Sequence, residues 1–156
     1  MMLHVAGLSI SPTSVPSSND GDGITQVVLG STTFVSAGDV TYEDFTGTTV
    51  DLSESILANL QITFLTGYTY GTNVWIDFNN DLVFDNTTER VYTGATAQGP
   101  PIVSNVTGSI TIPATAVLGT TRMRVSLIEG GTATSSACGT FTYGETEDYF
   151  INIVCP

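Results

Sequence analysis

The sequence predicts an all-β fold, an antiparallel two-sheet β-sandwich of the jelly-roll or immunoglobulin-like kind. Apolar and polar residues alternate with a period of two through most of the chain, and helical periodicity is nearly absent. Clusters of Gly, Pro, Asn and Asp separate the alternating segments at the spacing usual for a sandwich. The length of 156 residues suits one domain.

The chain divides into three predicted parts. Residues 1–12 form an apolar N-terminal arm that contains His4, which we expect to be exposed to solvent. Residues 13–23 are rich in Ser, Pro, Asp and Gly, which is typical of a linker or a long loop. Residues 24–156 form the β-sandwich domain. The first residues lack the cationic start and long apolar run of a signal peptide, so we expect a mature portion or excised domain of a larger protein.

Several segments are predicted strands. The clearest alternation places four apolar side chains on one face: Ala58, Leu60, Ile62 and Phe64. Residues 122–127 alternate in the same way, and residues 74–78 are apolar on both faces, as in a central strand. Further strands are predicted at 24–29, 32–35, 39–45, 48–52, 90–93, 102–107, 110–112, 140–143 and 147–154. Residues 53–57 and 113–117 could each form one helical turn. The predicted core includes Trp75, Ile62, Phe64, Met123 and Val125.

The composition excludes several functions. The chain has no lysine, and its three arginines face 15 Asp and Glu residues, for a net charge of −12. We therefore expect no nucleic-acid partner and no direct insertion into a membrane. Without lysine there is neither a Schiff base nor a P-loop, and a single terminal His disfavours catalytic triads. These absences predict a protein that is not an enzyme.

The two cysteines, Cys138 and Cys155, do not form a CxxC or zinc-binding pattern. They could meet only if residues 144–147 form a hairpin turn. If that segment instead opens one extended strand, they lie far beyond disulfide reach. We favour the extended strand and expect no intrachain disulfide.

An acidic segment follows the predicted central strand and predicts a Ca²⁺ site. Oxygens at alternating positions, followed by further acids, are the pattern by which a turning loop wraps a hard cation. The predicted ligands are Asp77, Asn79, Asp81, the Val83 carbonyl, Asp85 and Glu89. Leu82 stands where the EF-hand loop has its glycine. The alternative is an Asn- and Asp-rich turn that is closed by local hydrogen bonds.

A second acidic segment contains Glu145, Glu147 and Asp148. Glu145 and Glu147 project to one side of a strand, as do Arg122 and Arg124, so the sequence predicts a two-rung ladder across neighbouring strands. The catalytic alternative is a carboxylate pair about 5 to 9 Å apart that hydrolyses a glycosidic bond. Separately, Tyr68 and Tyr70 are predicted to stack on a ligand, whereas Trp75 is predicted to be buried.

The chain resembles the GEVED domain, a module of exported bacterial proteins. The motif that names the family is present here as Gly144, Glu145, Thr146, Glu147 and Asp148, with Thr for its usual Val. Three further blocks resemble the family in the same order: residues 74–81 with Glu89, residues 119–125, and Cys138 and Gly139 before Phe141. The resemblance covers roughly residues 24–154.

The resemblance implies a β-sandwich accessory module of large secreted or surface proteins, with no catalytic residues assigned to it. It also implies that Asp77, Asn79, Asp81 and Glu89 are the acidic-loop residues. Family members commonly have glycine at the position of Leu82. They often carry an early cysteine, so the usual partner of Cys138 is missing here.

These features together predict a non-catalytic, calcium-stabilised module for adhesion or substrate targeting, located outside the cell or on its surface. Its expected partners are glycans or protein surfaces. The alternative is a subunit of a surface filament, in which residues 1–12 add a strand to another copy of the chain. The acid-pair glycoside hydrolase is a third hypothesis.

Overall fold

A computed structural model describes residues 14–19, 21, 23–65, 68–96, 105–130 and 136–156. These residues form nine strands and no helix, so none of the described segments is a helix that could cross a membrane. The strands are β1 (Ile24–Leu29), β2 (Thr32–Val35), β3 (Tyr42–Ser53), β4 (Leu57–Phe64), β5 (Tyr70–Ile76), β6 (Arg90–Ala95), β7 (Asn105–Thr111), β8 (Gly119–Glu129) and β9 (Gly144–Val154).

The strands form two sheets that pack as a sandwich, which confirms the predicted fold class. The four-stranded sheet has the order β2-β1-β4-β7, and the five-stranded sheet has the order β3-β9-β8-β5-β6. All neighbouring strands are antiparallel except β3 and β9, which run parallel. This parallel pair was not predicted, and it brings two acidic segments of the chain together.

The main core lies between the sheets. Four of the five predicted core residues, Ile62, Phe64, Met123 and Val125, are in it. Three aromatic rings pack together within this core. The ring of Tyr149 stacks on Phe45, with centroids 5.3 Å apart, and makes an edge contact with Phe34, with centroids 4.8 Å apart. The alternation of apolar residues along β4 and β8 therefore predicted which face of each strand is inside.

Trp75, the fifth predicted core residue, is buried but lies in a separate cluster with Phe84 and Ala137. The prediction that Trp75 is a buried core residue is therefore confirmed, and the structure adds that its cluster is separate from the main core. All seven residues of β5 are buried, as predicted for a central strand that is covered on both sides. The second cover is the segment after β5 together with residues 136–138.

Some predicted boundaries differ from the structure. The strands predicted at 39–45 and 48–52 are one strand, β3, with an irregularity between Phe45 and Thr49. The strand predicted at 140–143 is reduced to a single bridge between Ser18 and Tyr143. Residues 113–117 make only a turn, in which Ala116 N donates to Pro113 O at 3.0 Å.

Part of the predicted linker lies along the segment before β9. Ser18 N donates to Thr142 O at 2.8 Å, Gly144 N donates to Ser18 O at 3.1 Å, and Ser14 Oγ donates to Gly139 O at 2.5 Å. Residues 14–19 therefore dock on the domain. The N-terminal arm at residues 1–12, on which the filament hypothesis depends, lies outside the described residues, as do residues 102–104.

Candidate functional site

The acidic motif opens β9, and its first residue must be glycine. Gly144 has a φ of 137°, and a Cβ atom there would lie 2.0 Å from Leu127 O on β8. Any side chain would therefore push β8 and β9 apart where they begin to pair. The motif continues as one extended strand, as predicted, and Cys138 and Cys155 are free thiols.

The register of β8 and β9 separates the motif acids onto two faces. Arg124 lies opposite Asp148, and Val125 lies opposite Glu147. Directly opposed residues share a face, so Asp148 is on the arginine side and Glu147 is on the side of the main core. The predicted ladder of Glu145 and Glu147 with Arg122 and Arg124 is therefore wrong, because these glutamates lie on the other face of the sheet.

On the outer face, Arg124 and Asp148 form a bidentate pair. Arg124 Nε donates to Asp148 Oδ1 at 2.7 Å, and Arg124 Nη2 donates to Asp148 Oδ2 at 2.8 Å. Arg124 Nη1 also donates to Ala137 O at 2.9 Å, and Tyr42 Oη donates to Asp148 Oδ2 at 3.1 Å. Burial and the charge of Asp148 raise the pKa of Tyr42. Asp148 therefore joins β9 to β8, to β3 and, through Arg124, to the 136–138 segment.

Arg122 pairs with Asp77 on the same face, with Arg122 Nη2 2.9 Å from Asp77 Oδ2 and both side chains buried. The Phe84 ring covers both arginines, at 5.2 Å from the Cζ of Arg122 and 5.5 Å from the Cζ of Arg124. Asp77, Arg122, Arg124 and Asp148 are called the outer ionic layer below. Buried pairs of this kind, shielded from water by an aromatic ring, are typical of structural sites.

The predicted Ca²⁺ ligands do lie in one loop, residues 77–89, but their carboxylates accept hydrogen bonds from the chain itself. Asp77 accepts from the backbone N–H groups of Asp81 and Leu82, at 3.1 and 3.0 Å. Glu89 accepts from Phe78 at 2.9 Å and from the Asp85 N–H at 2.8 Å. These bonds are those of the alternative interpretation, a turn closed by local hydrogen bonds.

The pKa values in this loop follow its contacts. Hydrogen bonds from Thr88 and Thr87 lower the pKa of Asp85, whereas burial raises the pKa of Glu89. Asn79 and Asp81 also accept backbone N–H groups, from Asp81 and Val83 respectively, each at 2.9 Å. Calcium binding by this loop stays a prediction.

Three acidic side chains come together elsewhere among the described residues. One oxygen each of Glu43, Glu145 and Glu147 lies within 4.8 Å of the others, and these residues are called the carboxylate cluster below. Burial, and then the charge of Glu147, raise the pKa of Glu145 to about 9. Burial likewise raises the pKa of Glu147 to about 7. No local signal in the sequence points to Glu43, because it reaches the cluster through the parallel pairing of β3 with β9.

The two predicted stacking tyrosines have different environments. Tyr70 is buried and packs on Phe64, with ring centroids 4.9 Å apart, so its prediction as a ligand-stacking residue is wrong. Tyr68 is 43% exposed. Tyr143, which was not among the predicted site residues, is 41% exposed. The sequence feature that could have indicated Tyr143 is its position directly before the acidic motif.

The fold and these sites define a β-sandwich in which an acidic strand motif is buried between a main core and an outer ionic layer. The family model of the GEVED domain matches residues 71–152, which is more than half of the chain. The chain therefore belongs to the GEVED domain family, as the sequence resemblance indicated. Comparison with curated proteins gives no match.

Proposed function

We propose that this chain is a non-catalytic attachment module of a larger secreted or surface protein, used for adhesion or substrate targeting. One observation carries the proposal: the three acids of the motif, which are the candidates for hydrolysis, are inaccessible. Glu145 and Glu147 have no exposed surface, and Asp148 is buried in its pair with Arg124. A polymeric substrate has no route to any of these three carboxylates.

The acid-pair hydrolase is disfavoured by the same geometry. A glycosidase needs two carboxylates that flank one bond in an open cleft. Here Asp148 lies on the outer face of the sheet, whereas Glu145 and Glu147 lie on the inner face. The sheet itself separates them. The inner pair is further occupied by donors from the protein, since Ile24 N donates to Glu145 Oε2 at 2.6 Å and Tyr149 Oη donates to Glu147 Oε2.

Exposed aromatic residues at one end of the sandwich supply a surface for attachment. Gly130 N donates to Thr69 O at 2.7 Å, and Glu129 N donates to Tyr143 O at 3.1 Å. The segments of Tyr68 and Tyr143 therefore flank the same turn. Tyrosine combines an apolar ring with a hydroxyl group, which suits the faces of sugars and protein surfaces. The net charge of −12 disfavours polyanions.

The location outside the cell rests on the family resemblance and on composition. The chain is rich in Thr and Ser and contains no lysine. This composition is typical of exported bacterial modules.

A binding experiment with matched variants tests the proposal. The purified chain is applied to arrayed glycans and to immobilised extracellular-matrix proteins, together with Tyr68→Ala, Tyr143→Ala and the double variant. The control is Leu57→Ala. Leu57 is also exposed, but it begins β4, whereas Phe64 at the other end of β4 packs on Tyr70 near the proposed surface. We expect the double variant to weaken binding at least about tenfold. This corresponds to a loss of about 1.4 kcal/mol of binding free energy, which removal of a single important contact residue can cause.

The control should bind like the original chain. Equal binding by the double variant would exclude this end of the sandwich as the attachment surface. Hydrolysis of a glycan by the chain, lost in Glu147→Gln without unfolding, would contradict the proposed function.

A further inference from the structure

The carboxylate cluster lies where β1, β3 and β9 meet at the end of the main core. Glu43 and Glu147 are direct partners in the parallel pair of β3 and β9, and Glu145 contacts the first residue of β1. Its surroundings offer no counter-charge from the described part of the chain. Arg122 and Arg124 lie on the other face of the sheet, and Arg90 is on β6, three strands away from β9.

Each carboxylate of the cluster accepts a hydrogen bond through its Oε2 atom. Ile24 N donates to Glu145 Oε2 at 2.6 Å, Ala37 N donates to Glu43 Oε2 at 2.8 Å, and Tyr149 Oη donates to Glu147 Oε2. Such contacts fix the orientation of a carboxylate and leave its second oxygen to bind something else. This is how outer-shell groups orient metal ligands.

Several polar atoms at the cluster are buried without a hydrogen-bond partner among the described residues. They include Oε1 of Glu145 and Oε1 of Glu147. The Ser36 hydroxyl is 9% exposed and makes no well-formed hydrogen bond to any described residue, and its weak interaction with Glu147 lowers the pKa of that carboxyl. Ser36 belongs neither to the motif nor to the acidic cluster. Burying a polar atom without a well-formed hydrogen bond is unfavourable, so three such atoms at one place indicate a site that can bind a ligand.

We propose that Glu43, Glu145 and Glu147 bind one hard divalent cation, Ca²⁺, with the Ser36 hydroxyl as a further ligand. Ca²⁺ binds oxygens at about 2.3–2.6 Å, so two of its ligands are at most about 5 Å apart. The three carboxylate oxygens satisfy this limit, since all lie within 4.8 Å of one another. The cluster contains no His or Cys, which favours Ca²⁺ or Mg²⁺ over zinc or copper.

The backbone around the cluster is closely packed. A Cβ atom on Gly23 would lie 1.4 Å from Gly38 O and 2.8 Å from Glu145 Oε2. Only glycine therefore lets the segments before β1 and before β3 meet beside the cluster. A bound ion would join β3 and β9 directly and β1 through Glu145. Its role is to fasten the two sheets at this end, independently of the loop at residues 77–89.

The proposed site explains how three acids are tolerated in one buried place. A bound cation would supply the counter-charge that Arg122 and Arg124, on the other face of the sheet, do not supply.

The test is a Ca²⁺ titration of the metal-stripped full chain at pH 7.5. Calorimetry measures stoichiometry and Kd, and thermal unfolding measures the melting temperature. Tb³⁺ luminescence, excited through tyrosine, reports an ion near Tyr149. We expect one ion per chain. The melting temperature should rise by about 5–10 °C when free Ca²⁺ is about 100 times Kd.

Two variants distinguish this site from the loop. Glu43→Gln removes one charge but keeps an oxygen to accept from Ala37 N, and Glu43 is only partly buried, so the fold should persist. It should weaken Ca²⁺ binding at least about tenfold, the lower end of the loss seen even for outer-shell partners. Asp81→Asn in the loop is the matched control and should bind Ca²⁺ like the original chain.

Two results would overturn the proposal. The first is that the unmodified chain binds neither Ca²⁺ nor Tb³⁺ at millimolar concentration. The other is binding that persists in Glu43→Gln and is lost in Asp81→Asn, which would assign the ion to the loop. The attachment function does not depend on either result.

Discussion

Neighbouring acids of the motif have separate roles because the side chains of a strand alternate between its faces. Asp148 is neutralised by the bidentate contact of Arg124 on the outer face. Glu147, one residue earlier, faces the main core beside Glu145 and Glu43. Residues of like charge in one motif therefore experience opposite electrostatic environments. One acid gains an ion pair, while two others are desolvated.

The desolvated acids predict an unusual pH dependence for the metal-free chain. The pKa values of Glu145 and Glu147 in the folded state are about 9 and about 7, above their ordinary value of 4.5. The folded state therefore holds protons more tightly than the unfolded state. Its stabilisation is fully present below about pH 4.5 and is lost as the pH rises toward 9.

Urea unfolding in EDTA at pH 5, 7 and 9 measures this effect. We expect the free energy of unfolding to fall across the series. The decrease of the free energy of unfolding with pH should be smaller in Glu145→Gln, because a glutamine side chain cannot release a proton. A free energy of unfolding that stays constant or rises between pH 5 and 9 would refute the assignment of raised pKa values.

At the scale of elements, the loop at residues 77–89 forms a cover for the outer face of the five-stranded sheet. Phe84 from this loop covers the arginines, and Asn86 Oδ1 accepts from both Trp75 Nε1 and Ala137 N, at 3.0 and 3.1 Å. The loop turns at two non-glycine residues with positive φ, Asn80 at 56° and Leu82 at 71°. Asn adopts this conformation readily, whereas it is strained for a large residue such as leucine.

Leu82→Gly should therefore stabilise the chain. The left-handed conformation costs an L residue about 1–2 kcal/mol, while glycine adds about 0.5–1 kcal/mol of unfolded-state entropy. Leu82 is exposed, so the loss of its side chain should cost little. We expect a net gain of about 0.5–1 kcal/mol in urea unfolding.

The matched control is Val83→Gly, at the next position, which is also exposed and is not among the residues with positive φ. It should lose about 0.5–1 kcal/mol, the ordinary cost of glycine. A Leu82→Gly chain that is less stable than the original would show that the conformation at this position is not strained.

At the scale of the whole molecule, local patterns in the sequence predicted the strands and the two-sheet sandwich. Alternation in β4 and β8 also predicted their inner faces, because side-chain direction on a strand is a local property. The glycine position in the acidic loop was recognised for the same reason, and the structure has Leu82 there with positive φ.

Features that depend on pairing between distant strands could not be predicted. Local sequence patterns do not reveal the pairing register of β8 and β9, which places Arg124 opposite Asp148. A shift of this register by one residue would move the side chains of one strand to the other face of the sheet. The same limit applies to Glu43, which meets Glu147 through an unexpected parallel pair. Tyr70 was wrongly predicted to contact a ligand, and the separate cluster of Trp75 was not predicted, because the surroundings of an aromatic residue depend on which segment covers it.

Our central claim is that the acids of the GEVED motif have a structural role in this fold. Asp148→Asn tests this most directly, because it is nearly isosteric and leaves Arg124 buried without its charge partner. Loss of one member of a buried ion pair costs about 3–5 kcal/mol. Asp39→Asn is the control, since Asp39 is an exposed acid.

The decisive measurement is the free energy of unfolding of these two variants in urea at pH 7. We predict a loss of about 3–5 kcal/mol for Asp148→Asn and a change within about 0.5 kcal/mol for Asp39→Asn. An Asp148→Asn chain as stable as the original would contradict the account, because the acid at the centre of the outer ionic layer would then contribute nothing to the fold.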